Sequence, residues 1–153
     1  APLASAAAAF LLTLADGDAS VFLEADDEGR AATWIRFQTG AEIASEPSEV
    51  AFAALSAGSD PSGWGRFGIG TDTYPDRSAT LILPVEALTG GTPLRLTGPG
   101  IETHATLAPR GLPKGFLAAR QTNAALFPCG CDLVLVADTR LAALPRTTRI
   151  EEA

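Results

Sequence analysis

Residues near the C-terminus carry side chains suited to binding an anion. Segment 145–149 reads Pro-Arg-Thr-Thr-Arg, so the guanidinium groups of Arg146 and Arg149 flank the hydroxyl groups of Thr147 and Thr148. Arginine can donate two parallel hydrogen bonds to a phosphate or carboxylate, and threonine adds a further donor. Neighbouring side chains alternate in an extended segment, so one hydroxyl is expected on the same side as an arginine. We therefore predict binding of a phosphate, a partner carboxylate or a partner main-chain carbonyl.

Two other interpretations of Arg146 stay open. In the first, the arginines of this segment form ion pairs in water with Glu151 and Glu152, worth at most about 1 kcal/mol. In the second, Arg146 is buried and paired within its own chain, and its mutation to alanine costs about 3–5 kcal/mol of stability.

Residues 63–68 match the glycine pattern G-x-G-x-x-G, which joins a strand to a helix in dinucleotide-binding proteins. Here a loop precedes the pattern, and Gly70, Thr71 and Pro75 follow it. The phosphate groups of a dinucleotide would then lack the N–H groups of a helix start. We therefore predict a flexible glycine-rich loop.

The two cysteines, Cys129 and Cys131, are separated by one residue, so a disulfide between them would be strained. Free thiols indicate a reducing, cytoplasmic compartment. A structural zinc site needs four ligands and the only histidine is His104, so we predict no metal site. Both cysteines are expected to be small core residues at the entrance of a strand.

General-base and Schiff-base chemistry have one candidate each. His104 could form a triad with Ser78 and Asp132, but a surface histidine near a strand is the favoured interpretation. Lys114 is the only lysine and stands in a Pro-Lys-Gly context that indicates exposure. A pyridoxal phosphate aldimine needs an enclosed lysine, so we predict no cofactor.

The composition describes one acidic domain. The 153 residues are 46% hydrophobic, and 11 basic against 18 acidic side chains give a net charge of −7. A net-acidic chain without a basic run is a poor match to nucleic acid or an anionic membrane. We therefore expect neither as a partner.

The hydrophobic patterning predicts helices toward both ends of the chain and strands in the middle and at the end, as in an α/β domain with a mixed sheet. The predicted helices cover 2–14, about 27–37 and 113–125, the last with Pro113 near its first position. The predicted strands cover 20–24, 49–55, 79–85, 92–97, 103–107, 132–137 and 141–144. A long loop, 56–77, is expected to hold one helical turn after Pro61.

Seven segments, in this order, resemble the PhnH family, a component of the bacterial carbon–phosphorus lyase system for phosphonate use. The resemblance covers nearly the whole chain, and its most specific pieces are Phe-Pro-x-Gly-x-Asp at 127–132 and Leu-Pro-Arg-Thr-Thr at 144–148. The others are 11–16, 35–41, 70–76, 78–81 and 96–101. Family members carry a further N-terminal segment before the position of Ala1, which we expect this chain to lack.

The resemblance implies three layers with a mixed central sheet, like a reduced version of the pyridoxal-phosphate-dependent transferase fold. It also implies a homodimer in isolation, and a place in a complex with other phosphonate-system subunits. That complex joins an alkylphosphonate to the ribose C1 of ATP and displaces adenine, forming a ribose 1-alkylphosphonate 5-triphosphate. The expected role is that of a non-catalytic subunit.

The alternative is a stand-alone enzyme that binds a small phosphorylated ligand through the Tyr74 loop and the Arg146 segment. The candidate ligand-binding or partner-binding residues are polar residues in the matching segments. They are Arg36, Thr71, Tyr74, Asp132, Arg146, Thr147 and Thr148.

Overall fold

A computed structural model describes residues 3–153. Its helices are α1 (Ser5–Leu14), α2 (Arg30–Thr39) and α3 (Phe116–Ala124). Its strands are β1 (Val21–Leu23), β2 (Phe52–Ala54), β3 (Thr80–Pro84), β4 (Leu94–Thr97), β5 (Ala105–Leu107), β6 (Asp132–Ala137), β7 (Arg140–Leu144) and β8 (Arg149–Glu152). Short 3-10 turns cover Asp27–Gly29, Pro47–Glu49 and Pro61–Arg66, so the turn expected after Pro61 is confirmed. None of the helices in this described range is long and apolar enough to cross a bilayer.

The strands form two sheets. The larger has the order β1-β2-β3-β6-β7, with parallel pairing from β1 to β6 and an antiparallel β6–β7 hairpin. The mixed sheet and the hairpin are therefore confirmed. The smaller sheet has the order β5-β4-β8 and is antiparallel throughout.

The parallel part of the five-stranded sheet is buried on both faces, as parallel sheets generally are, whereas β7 at its edge is mostly exposed. In β3, Ile82 joins the core beneath α1 and α2, whereas Leu81 and Leu83 point to the opposite core with α3 and the smaller sheet. β6 alternates in the same way. The chain thus has three layers, but the third combines a helix with a second sheet.

Helix α2 begins and ends at residues that the sequence marks. The carboxylate of Asp26 accepts hydrogen bonds from the main-chain N–H groups of Ala31 and Ala32, at 2.8 and 3.0 Å. These satisfy donors that a first helical turn otherwise leaves free. The helix ends before Gly40, whose φ of 73° is the left-handed conformation that glycine tolerates.

Two predicted elements need correction. Helix α3 begins at Phe116 after Gly115, whose φ of 89° interrupts the helix, so Pro113 does not occupy the first helical position. Strand β8 was not predicted, because its residues, Arg-Ile-Glu-Glu, have three charged side chains and show no strand pattern. It forms because its register with β4 places Ile150 opposite Leu96 in the core. The predicted start of the first helix at Pro2 lies outside the described residues.

Candidate functional site

The β6–β7 hairpin brings Asp132 and Arg146 together. Asp132 opens β6 and Arg146 follows β7, with Leu133 paired to Leu144 between them. The Arg146 main-chain N–H donates to Asp132 Oδ1 at 2.7 Å, and its side chain donates from Nε to Oδ1 at 3.2 Å and from Nη2 to Oδ2 at 2.9 Å. This is the two-pronged geometry in which an arginine–carboxylate pair is strongest.

The rest of the Arg146 guanidinium is also occupied inside the chain. Nη1 donates to the carbonyl oxygens of Pro75, at 2.6 Å, and Pro128, at 3.4 Å, and Nη2 donates to Ser78 Oγ. The Arg146 side chain is only 14% exposed. Arg146 therefore connects its own segment to the loop that contains Pro75 and Ser78 and to the loop that contains Pro128. This geometry matches the interpretation in which Arg146 is buried and paired within its own chain. Pairing with Glu151 and Glu152 was the wrong alternative.

The pKa values of Asp132 and Arg146 both shift in the direction that keeps the two side chains charged. Burial alone would raise the pKa of Asp132, but the side-chain and main-chain hydrogen bonds from Arg146 outweigh it, so the pKa is lowered. The hydrogen bonds to Asp132 likewise raise the pKa of Arg146 despite its partial burial. Because Asp132 and Ser78 are both held by Arg146, neither is free for a triad with His104. His104 itself is exposed near the start of β5.

A groove lies beside this pair. It has a volume of about 620 Å³ and is lined by Arg146, Thr147, Thr148 and Arg149 on one side and by α3 on the other. The Thr148 side chain is buried, Thr147 is half-buried and Arg149 is exposed. Three of the sequence-predicted residues therefore line one groove, with Arg149 the arginine there that is open to solvent.

Arg120 of α3 is a residue that the sequence reasoning missed. It is 7% exposed, and its Nη2 donates to the carbonyl oxygens of Pro145, at 2.9 Å, and Thr148, at 3.1 Å. Burial lowers its pKa, while the nearby Asp132 charge opposes that shift. The sequence did hold a signal for its burial: Arg120 stands four residues after Phe116, so both lie on the inward face of the helix.

The other predicted residues lie elsewhere. Thr71 Oγ1 accepts a hydrogen bond from the Tyr74 main-chain N–H at 3.0 Å, and the Thr71 N–H donates to the Tyr74 carbonyl at 3.1 Å. Both are exposed in this tight turn, where the Arg77 guanidinium lies 3.9 Å from the Tyr74 ring centre. Arg146 donates to the carbonyl oxygen of Pro75, the residue that follows this turn.

Arg36 is not part of the same cluster. It is exposed on α2, which covers the opposite face of the five-stranded sheet from α3. The sheet therefore separates Arg36 from the Arg146 residues, and a binding role for Arg36 stays a prediction.

Cys129 and Cys131 are free and buried, as predicted. Burial raises the pKa of Cys131 to about 11, so its thiol stays protonated near neutral pH. Its Sγ donates to the carbonyl oxygen of Gly68 at 3.3 Å. Within residues 3–153, no group of three histidine, cysteine or acidic side chains is arranged to hold a metal ion. Lys114 is exposed, as its sequence context indicated.

Comparison with known proteins identifies the family. Residues 1–151 match the model of a bacterial phosphonate metabolism protein, PhnH. Over 152 residues, covering 99% of this chain and 76% of the relative, it is 46% identical to "Alpha-D-ribose 1-methylphosphonate 5-triphosphate synthase subunit PhnH" of Rhizobium meliloti strain 1021. Over 82 residues, covering 54% of this chain and 42% of the relative, it is 40% identical to "Putative C-P lyase subunit protein HtxG" of Stutzerimonas stutzeri. The chain therefore belongs to the PhnH family of bacterial phosphonate metabolism proteins.

Proposed function

We propose that this chain is the PhnH-type subunit of a complex that makes ribose 1-alkylphosphonate 5-triphosphate from ATP and an alkylphosphonate. The 46% identity with a synthase subunit of that name, over nearly all of this chain, carries the proposal. The subunit supports the reaction without catalysing it alone. A non-catalytic role is supported by Asp132 and Arg146, the acid–base candidates that come together in the described residues. These two side chains bind each other in a structural ion pair.

The proposal also includes the other properties that the resemblance to the family implies. The chain 1–153 is one domain, its three layers are a reduced form of the pyridoxal-phosphate-dependent transferase fold, and it works in the cytoplasm as a homodimer. Exposed apolar side chains on the packed pair α1 and α2 support an interface there. They are Leu12, Leu14 and Phe37, the last 84% exposed. The free buried thiols agree with a reducing compartment.

A second candidate role, binding of a small phosphorylated ligand, is supported by the groove beside α3. Arg149 is exposed there, and Thr147 and Thr148 contribute to the same wall. In this role, Arg146 and Asp132 position the segment and do not touch the ligand. The exposed residues Arg36, Thr71 and Tyr74 would instead contact partner subunits.

Two experiments test the subunit role. A tagged copy of the chain is first recovered from phosphate-starved cells of a phosphonate-using bacterium. Co-elution of other phosphonate-system subunits is expected, and elution of the chain alone would contradict the proposal. Purified chain is then incubated with ATP and methylphosphonate. No adenine should be released, whereas steady adenine release would establish an enzyme in its own right.

Matched arginine variants test the groove. Arg149→Glu reverses a charge in the groove, and Arg140→Glu makes the same change at an exposed position on β7. Only Arg149→Glu should weaken complex recovery or growth on methylphosphonate. Equal behaviour of the two variants would remove the groove from the functional surface.

A further inference from the structure

Arg120 is a buried cation without a carboxylate partner. The ion pairs among residues 3–153 join Arg30 to Asp27, Arg66 to Glu24 and Arg146 to Asp132. The two hydrogen bonds of the Arg120 side chain both start at Nη2, and its buried Nε has no partner. Buried charges are almost always paired, because desolvation is otherwise costly. Within residues 3–153 this guanidinium therefore has no carboxylate within salt-bridge distance, although the charge of Asp132 still acts on it.

A cavity of about 400 Å³ lies on the face of α3 away from the groove, and Arg120 lines both the cavity and the groove. It lies between α3, the 3-10 turn Pro61–Arg66 and the start of β6. Its walls are mainly apolar, and include Trp64, Ile69, Leu81, Ala118, Leu126 and Leu133. A mostly apolar cavity of this volume, with a few polar groups, is typical of small-molecule sites.

Among the described residues, no carboxylate that lines this cavity forms an ion pair with Arg120. Besides Arg120, the charged lining residues are Asp60, Lys114 and Asp132. Asp132 is neutralised by Arg146, as described above. Asp60 and Lys114 are both exposed, opposite in sign and open to solvent screening. The four charged lining residues sum to zero, but Asp132 is paired with Arg146 from outside the lining, which leaves the Arg120 charge without a hydrogen-bonded carboxylate.

We propose that this cavity binds a small organic monoanion, a carboxylate carried on an aromatic or branched apolar body. Its oxygens accept hydrogen bonds from guanidinium N–H groups of Arg120 that the main chain does not use. Its body packs against the apolar walls, including Trp64 and Leu133. Charge-assisted hydrogen bonds of this kind are about twice as strong as neutral ones. The site is formed by this chain alone, so a test of ligand binding does not depend on the proposed role in a complex.

Calorimetric titration of the purified full chain tests the site with benzoate, and with benzamide as its neutral counterpart. Benzoate should bind saturably, and benzamide at least about tenfold more weakly, a difference of about 1.4 kcal/mol. Ala118→Trp fills the cavity and should abolish benzoate binding. The matched variant Ala124→Trp fills the groove from the same helix and should leave binding unchanged.

Three results would overturn the proposal: no saturable benzoate binding, equal affinity for benzamide, or benzoate binding that survives in Ala118→Trp. Arg120→Met removes the charge and should bring benzoate affinity down to that of benzamide. Thermal unfolding of each variant checks its fold. Should Arg120→Met fail to fold, the Ala118→Trp and Ala124→Trp pair decides the outcome by itself.

Discussion

Replacing Arg146 by methionine should destabilise the fold far more than its place in an anion-binding segment suggests. Methionine keeps an unbranched chain but removes every side-chain donor. The variant loses two hydrogen bonds to Asp132, two to the carbonyl oxygens of Pro75 and Pro128, and one to Ser78. The Asp132 carboxylate is left half-buried with only the Arg146 main-chain N–H as a donor.

The magnitude follows from the exposure of the two partners. Removing one partner of a buried ion pair costs about 3–5 kcal/mol. The Asp132 side chain is 35% exposed, so water can partly replace the lost donors, and the lower end of that range applies. A loss of about 3 kcal/mol lowers the melting temperature of a domain of this size by about 6–12 °C.

The same pair makes part of the stability depend on pH. Because the folded pKa of Asp132 lies below its ordinary value of 3.8, the carboxylate contributes stability above that pH. The contribution is lost as the pH falls through the lowered folded pKa. The stability gap between the natural chain and Arg146→Met should therefore be full at pH 7 and shrink in increasingly acidic buffers below about pH 4.

Urea unfolding at pH 7 and at a series of acidic pH values measures the gap. Arg149→Met is the matched control, because its arginine is exposed in the same segment and its loss should cost less than about 0.5 kcal/mol. A loss below about 1 kcal/mol for Arg146→Met at pH 7 would refute a structural role for Arg146. A difference in unfolding free energy between the natural chain and Arg146→Met that stays constant through acidification would show that the Asp132 charge contributes nothing to stability.

Three further changes test other parts of the structure. Phe37→Ser alters a side chain that is 84% exposed, so it should shift a homodimer toward monomer in light scattering. Asn123→Ala removes hydrogen bonds to the N–H and carbonyl of Cys131, at 2.8 and 2.9 Å, and should cost about 1–3 kcal/mol in urea unfolding. Gly91→Ala places a Cβ against the main-chain carbonyl of Pro109 and should unfold at a clearly lower temperature than Gly63→Ala, whose Cβ meets nothing within 4 Å.

The sequence predicted the elements whose local chemistry is unambiguous. The strand at 132–137 follows from a continuous apolar run, the end of α2 from Gly40, and the hairpin from the turn before 140. These elements could be predicted because propensity and hydrophobic periodicity act between near neighbours. Family membership could also be predicted from the sequence, because it rests on the order of short motifs along the chain. Comparison with relatives confirms it.

Only the tertiary structure decided what the charged residues do. Arg146 looks the same in sequence whether it meets a ligand or Asp132, because the pair forms only when β6 and β7 close their hairpin. Arg36 lies in a matching motif, yet the sheet separates it from the groove. Strand β8 forms through pairing with β4, more than 50 residues away, and not through its own propensity. Contacts between distant segments set burial and partners, and these determine the role of a charged side chain.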